Sequence, residues 1–337
     1  MKHICLVFSI MLCLSCTDTK KIITVINPTV NHNVDDKEFI IDSTHAKGDV
    51  RRYGVFPNKN ISTKHLSNVL YLANQGLPIF FPKGYYNATV ILKKASNISI
   101  QFDEVILGGG FQIIDEYNQA SQFIKITGTL TILDKLFIRQ SNNIYFDEVF
   151  VLSDTIQNSF KQKNRGVSIY VGSKNIQFNS LTVNDTGGDP TEFFKYTAAA
   201  LQVHGWKNNP ENILINRLSI NNAGRTALYL TGNNHQFNKI TVYNFGIGSN
   251  ENMFGLDDAS PSEETEFSGV WINRCNSCEI DSLAINSTYN KGQYSLRLDE
   301  GKYHEPTFIN HIQLKNKARE LAIKDDKLTN ILVKDEY

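Results

Sequence analysis

Four side chains of the kinds that move protons or hold carboxylates lie on short, similar stretches in the second half of the chain. They are His204 in AALQVHGW (199–206), Arg225 and Tyr229 in and just before TALYLTGN (226–233), and Arg297 in YSLRLDEG (294–301). Histidine is a base near neutral pH, tyrosine can donate a proton, and the arginine fork matches a planar carboxylate. That set suits carbon–oxygen cleavage by β-elimination at a uronic acid. The reaction needs a base for the α-proton, an acid for the leaving oxygen and a donor or cation over the carboxylate. The expected roles are His204 as base, Tyr229 as acid and Arg225 or Arg297 as carboxylate clamp. Lys195 and Tyr196, at the end of NDTGGDPTEFFKYTA (184–198), are alternates for binding. Gln202 and Trp271 supply an amide and an aromatic platform, two surfaces that suit sugar hydroxyls and pyranose faces. If loops block one end of the groove, the same groups would remove water from a terminal uronate, and the enzyme would be an oligosaccharide dehydratase.

Carboxylates offer a competing chemistry. GLDDAS supplies Asp257 and Asp258, and NDTGGD supplies Asp185 and Asp189. Two carboxylates across a glycosidic bond would make a glycoside hydrolase. Asp258 also joins the expected substrate-binding set. The elimination reading requires no cofactor; the acid-rich loops leave Ca²⁺ open as a ligand, and no metal site is assigned. A third reading is a non-catalytic, glycan-binding surface, with aromatics spread along a groove. His, Arg and Tyr on neighbouring stretches favour an enzyme.

The elements that would hold these residues repeat. One kind of line reads NISIQF (97–102), NNIYFDEVFV (142–151), KNIQFNSLTV (174–183), ENILINRLSI (211–220), HQFNKITVYN (235–244), NSCEIDSLAI (276–285) and INHIQLKN (309–316). The other reads GVSIYVGS (166–173), AALQVHGW, TALYLTGN, SGVWINRC (268–275), YSLRLDEG and ELAIKDDK (320–327). Each alternates with period two and ends at Asn, Gly or Asp, so each is a short strand and a turn. Strands this short bury an apolar face only by stacking on their copies. The fold expected is all-β, a right-handed parallel β-helix. A β-sandwich would need hairpins, and regular Asn-Gly or Asp-Gly loops are missing. Aligning the second kind of line puts Tyr170, Gln202, Tyr229, Trp271 and Arg297 in one outward column, with Gly172, His204, Thr231, Asn273 and Asp299 one residue on. The longest connections, 184–198 and 244–267, enter the strands of His204 and Trp271, as loops around a site do.

Before the repeats, STKHLSNVLYLANQG (62–76) reads as an amphipathic helix. Ser62 is its N-cap, Leu66, Val69, Leu70 and Ala73 form its apolar face, and Gly76 follows its end. Such a helix caps the open end of a solenoid. The whole stretch from Tyr53 to Tyr86, YGV followed by LSNVLYLANQGLPIFFPKGYY, resembles the opening segment of the pectate-lyase-like β-helix superfamily. It lacks the acidic D-G-x-x-D usual before the helix, where FPNKNIST stands. The resemblance implies the architecture over 50–337. Because the superfamily includes polysaccharide lyases, glycoside hydrolases and inert adhesins, it does not choose among activities. The Asp257–Asp258 pair resembles part of the polygalacturonase pattern, but that family's Asn-x-Asp, Gly-His-Gly and Arg-x-Lys are not in their usual order.

The first residues, MKHICLVFSIMLCLSC, have a basic start and an apolar run too short to span a bilayer, which makes a secretory signal. Leu14-Ser15-Cys16 resembles a bacterial lipobox, so Cys16 is the expected first mature residue, acylated (palmitate among its chains) and anchored in the envelope, with the outer membrane expected. The expected division is a signal over 1–15, a tether over 16–50 and the β-helix domain over 51–337. With 34 basic and 34 acidic residues and no basic run, a nucleic-acid partner is not expected. The expected partners are a uronate-containing glycan and, through the anchor, a membrane. Cys275 and Cys278 form a lone C-x-x-C; two ligands are too few for zinc, and two reduced cysteines packed at a turn are expected, a local disulfide being the alternative.

Overall fold

Strands of two lengths alternate along the chain, and each lies parallel to its equivalent one coil on. The computed structural model describes residues 25–153, 164–187, 199–205, 207–247, 267–288, 294–298, 306–316, 323–325 and 331–336. The long ladder starts with Ile79–Phe81 and Gly84–Tyr86, which both pair with Ser96–Leu107. It continues through Ser121–Ile132, Ser141–Val151, Lys174–Asn184, Glu211–Asn221, Gln236–Tyr243, Glu279–Ser287, Thr307–Asn316 and Ile331–Glu336. The short ladder runs Val90–Lys93, Phe111–Ile114, Lys135–Arg139, Gly166–Tyr170, Ala199–His204, Thr226–Asn233, Ser268–Asn276, Tyr294–Leu298 and Ile323–Asp325. This is the parallel β-helix that the repeats predict.

Alternation builds the core. Ile100, Ile126, Phe146, Phe178, Ile215, Phe237 and Ile280 are partners in register from coil to coil, and all are buried. The rings of Phe146 and Phe178 stack at 4.7 Å. The turns carry a second kind of ladder. Asn175 Nδ2 donates to Asn142 Oδ1 at 2.9 Å, and Asn212 Nδ2 donates to Asn175 Oδ1 at 2.9 Å. Asn175 and Asn212 are left-handed (φ 52° and 55°), a backbone that asparagine tolerates better than most residues.

The capping helix spans Thr63–Asn74 and buries Leu66, Val69, Leu72 and Ala73 against the first coil. Leu70, expected in its apolar face, is only partly buried, and the Ser62 side chain makes no capping bond. The tether expected over 16–50 needs correction from residue 25 onward, because this segment is packed against the body. Asn31 N donates to Gly76 O at 2.8 Å, Thr29 N to Asn97 Oδ1 at 3.2 Å and Lys125 Nζ to Asn27 Oδ1 at 3.1 Å. A shallow cleft where it crosses the long ladder is lined by Val25, Ile26, Lys125, Tyr145 and Gln177. Asp36 is buried and accepts from Arg52 Nε at 2.8 Å and from the Tyr53 hydroxyl at 2.9 Å. Burial opposes its charge, but those two partners more than offset that, and Asp36 titrates below the usual carboxylate range. The expected signal over 1–15 and the expected lipidation site Cys16 lie outside the described residues.

Candidate functional site

The outward face of the short ladder carries the candidate site. Gln202 is level with Tyr229, Tyr229 with Trp271 and Trp271 with Arg297, as the sequence alignment predicts. One coil earlier the alignment is off by two residues: Gln202 pairs with Ser168, and Tyr170 pairs with His204. GVSIYV alternates with period two, so a slip of two keeps every residue on its face, and hydrophobic pattern alone cannot fix it.

The corrected register produces a run of rings. Phe137 and Tyr170 lie 6.3 Å apart between centroids, Tyr170 and His204 5.9 Å, His204 and Tyr229 5.4 Å, and Tyr229 and Trp271 4.7 Å. The Arg297 guanidinium closes the run 4.1 Å above the Trp271 ring, a cation–π contact. Lys135 sits over the Phe137 ring at the other end, 5.4 Å from its centroid. Coils rise about 4.8 Å each, so this is one continuous platform along the axis. Asn273 Nδ2 donates to the Tyr229 hydroxyl at 2.8 Å, so the phenol oxygen is the acceptor in this contact. Trp271 Nε1 is buried and meets no acceptor among the described residues. His204 is half-buried, and that desolvation holds its imidazole below the usual histidine value, favouring the neutral base.

Of the expected quartet, the structure brings His204 and Tyr229 together and keeps Arg297 on the same platform. Arg225 is elsewhere. It precedes Thr226, the partner of Ala199, whereas His204 is the last residue of Ala199–His204. His204 is thus level with Thr231, and the six-residue offset from Arg225 is about 20 Å along the strand, too far for base and clamp to meet on one sugar. Burial lowers the Arg225 guanidinium to about 10, which leaves it a cation at neutral pH. Lys195, Tyr196, Asp189, Asp257, Asp258 and Asp299 lie outside the described residues. Asp185 stands at a left-handed turn (φ 54°) with its N–H donated to Asn221 O at 3.0 Å.

The cysteine expectation also needs correction: Cys275 and Cys278 are joined in a disulfide, their Cα atoms 5.8 Å apart. With buried His235 they form a cluster whose ligand atoms lie within 4.8 Å, the only such trio among the described residues. It does not fit a metal. The sulfurs are bonded to each other, His235 Nδ1 accepts from Ile213 N at 3.2 Å, and Nε2 is 2.9 Å from Thr231 O, so both ring nitrogens are engaged. Sequence reasoning missed Asn273 as a partner of Tyr229, and Ser168, Phe137 and Lys135 as members of the platform. Period-two alternation carried through the KLFIR stretch (135–139) could have found Phe137.

No family model and no curated protein matches the chain. A solved structure described as Geobacillus virus E2 ORF18 is similar over 86% of this chain and 61% of its own, at 11% identity and a TM-score of 0.44. The chain thus spans 61% of the length of that structure, and a likeness at this level carries no functional argument.

Proposed function

We propose that the protein is a carbon–oxygen lyase acting on uronate-containing glycans at the His204–Tyr229 couple. The observation that carries this reading is the 5.4 Å contact of a neutral-leaning histidine with a tyrosine whose oxygen already accepts from Asn273. In the reaction His204 takes the proton from C5 and the C4–oxygen bond breaks. The C4=C5 double bond forms, and the leaving oxygen receives the Tyr229 proton. Gln202, level with Tyr229, is the amide donor for the reacting carboxylate. Trp271 stacks the neighbouring sugar, and Arg297 binds the carboxylate of a residue further along.

Base and acid are neighbours on one floor, so both reach the sugar from the same face. One-face chemistry is syn elimination, which needs H5 and O4 on the same side of the ring. D-Glucuronate and D-mannuronate meet that condition; D-galacturonate and L-guluronate do not. The leaving oxygen can be glycosidic or a hydroxyl, so chain cleavage and dehydration share the mechanism. Leu14-Ser15-Cys16 supports tethering in the envelope, where such an enzyme would meet its glycan. Metabolic labelling with a fatty-acid analogue, lost in Cys16→Ala, tests the anchor. Among the described residues no helix is long and apolar enough to cross a membrane.

The activity is tested by following the ultraviolet band of a 4,5-unsaturated uronate with polymers and oligomers of all four uronates. A rise with the glucuronate or mannuronate series, lost in His204→Ala and Tyr229→Phe, is expected. New reducing ends without absorbance would move the assignment to hydrolysis. Binding with neither signal would leave a glycan-binding surface.

A further inference from the structure

Strand Ser268–Asn276 does not keep step with Thr226–Asn233. Leu230 pairs with Ile272 but Gly232 pairs with Cys275, so Asn273 and Arg274 together stand opposite Thr231. This is a β-bulge, one extra residue that re-aims the side chains around it. Here the re-aimed side chain is Asn273, whose amide meets the Tyr229 hydroxyl. The bulge requires Arg274 at φ 59°, a left-handed backbone unfavourable for a residue with a long side chain. Ser277 is left-handed as well, at φ 54°. Between and beyond these two residues stand Cys275 and Cys278, both buried, whose disulfide closes the turn over Asn276 and Ser277. The corner beneath is also fixed: His235, fully buried, bridges Ile213 N and Thr231 O, and Thr231 is the residue that the bulge faces.

We propose that Cys275 and Cys278 are positioning residues for the site. Their disulfide holds Arg274 in the left-handed region, so it holds Asn273 against Tyr229 and aligns the phenol that donates the proton. Opening the bond lets Arg274 relax, the bulge shift and the Asn273–Tyr229 hydrogen bond lapse. The catalytic consequence rests on the elimination reading above; the geometric claim does not.

The test uses the full chain labelled with ¹³C at tyrosine Cζ, the Tyr229 resonance being identified by its loss in Tyr229→Phe. Asn273→Ala supplies the reference position for a phenol without its amide partner. The Cys275→Ser/Cys278→Ser variant is expected to move the resonance toward that reference. Adding Arg274→Gly is expected to return it, because glycine enters the left-handed region without steric cost. Should the serine pair fail to fold, the same resonance is followed in the wild-type chain after reduction by a phosphine. Thiols are then counted by alkylation and folding is checked by circular dichroism. A resonance unmoved in folded, reduced protein overturns the proposal, as does a shift that Arg274→Gly leaves uncorrected. No substrate enters the measurement, so its failure is distinct from failure of the lyase reading. With a substrate that is turned over, the serine pair should lose about tenfold in kcat with KM little changed, and Arg274→Gly should restore it.

Discussion

Acidification should destabilise the fold through His235 in a defined window. The ring is fully buried, accepts from Ile213 N–H at Nδ1 and donates its Nε2 proton to the Thr231 carbonyl at 2.9 Å, so a second proton can enter only at Nδ1 and would displace the Ile213 N–H. Burial depresses its pKa from 6.5 to about 4, with the Thr231 carbonyl opposing the shift. Between those values the unfolded chain binds a proton that the folded chain refuses. Stability from this group is therefore complete above pH 6.5 and falls as the pH drops toward 4. At about 1.4 kcal/mol per unit, the loss across the window is roughly 3 kcal/mol. Urea unfolding followed by circular dichroism, on wild type and His235→Gln at matched pH, reads the effect as a change in the gap between the two proteins. Asp36 and Asp49, both held below the usual carboxylate range, act lower in pH and equally in both proteins. A gap constant within about 0.5 kcal/mol from pH 7 to 4 would falsify the claim that His235 is neutral and inaccessible to protons.

Three further outcomes follow from the geometry. Asn175→Ala should cost about 3 kcal/mol, roughly one for each of two ladder bonds and one for a left-handed backbone that asparagine tolerates and alanine does not, while Asn175→Gly should recover about one of these; equal midpoints for the two variants in denaturant would refute the backbone part. If His204 is the base, the acid limb of kcat/KM lies below the ordinary histidine value, since burial lowers its pKa and only the neutral ring works; a limb at or above about 6.5 argues against it. Arg297→Ala should raise KM about tenfold on oligomers with kcat nearly unchanged, whereas Arg225→Ala should change neither by more than about twofold, which initial-rate kinetics checks.

Much of the fold was legible because burial acts with a fixed period. Ile100, Phe146, Phe178 and Ile215 each recur three residues after an asparagine, and only stacking in parallel buries all of them at once. The outward column from Gln202 to Arg297 followed by the same rule. What failed shared a different cause. The two-residue slip at Gly166–Tyr170 preserves the pattern, so nothing in the apolar positions opposes it. Grouping Arg225 with His204 counted coils but ignored position along the strand, and side chains one coil apart meet only when level or within about two residues of it. The bulge that turns Asn273 to Tyr229 adds one residue to a strand that otherwise alternates, and Arg274 carries none of the usual marks of a left-handed position. Residues 25–50 read as a spacer because their attachment is made largely by backbone groups and polar side chains, such as Asn31 N to Gly76 O, which leave no periodic trace.

The attachment of residues 25–31 bears on the order of folding. Coils of a solenoid touch their neighbours, so growth can proceed one rung at a time and opening can begin at any frayed rung. The bonds from Thr29 to Asn97 and from Lys125 to Asn27 break that locality, spanning 68 and 98 residues, and the cleft beside them reaches Gln177. This stretch, made before the rungs that it docks on, must therefore wait for four of them to assemble before its docking track exists. Once seated it couples those rungs, so that they should unzip together while the later ones open singly. Pulling the chain from its N-terminus should show this as one large extension step followed by small ones.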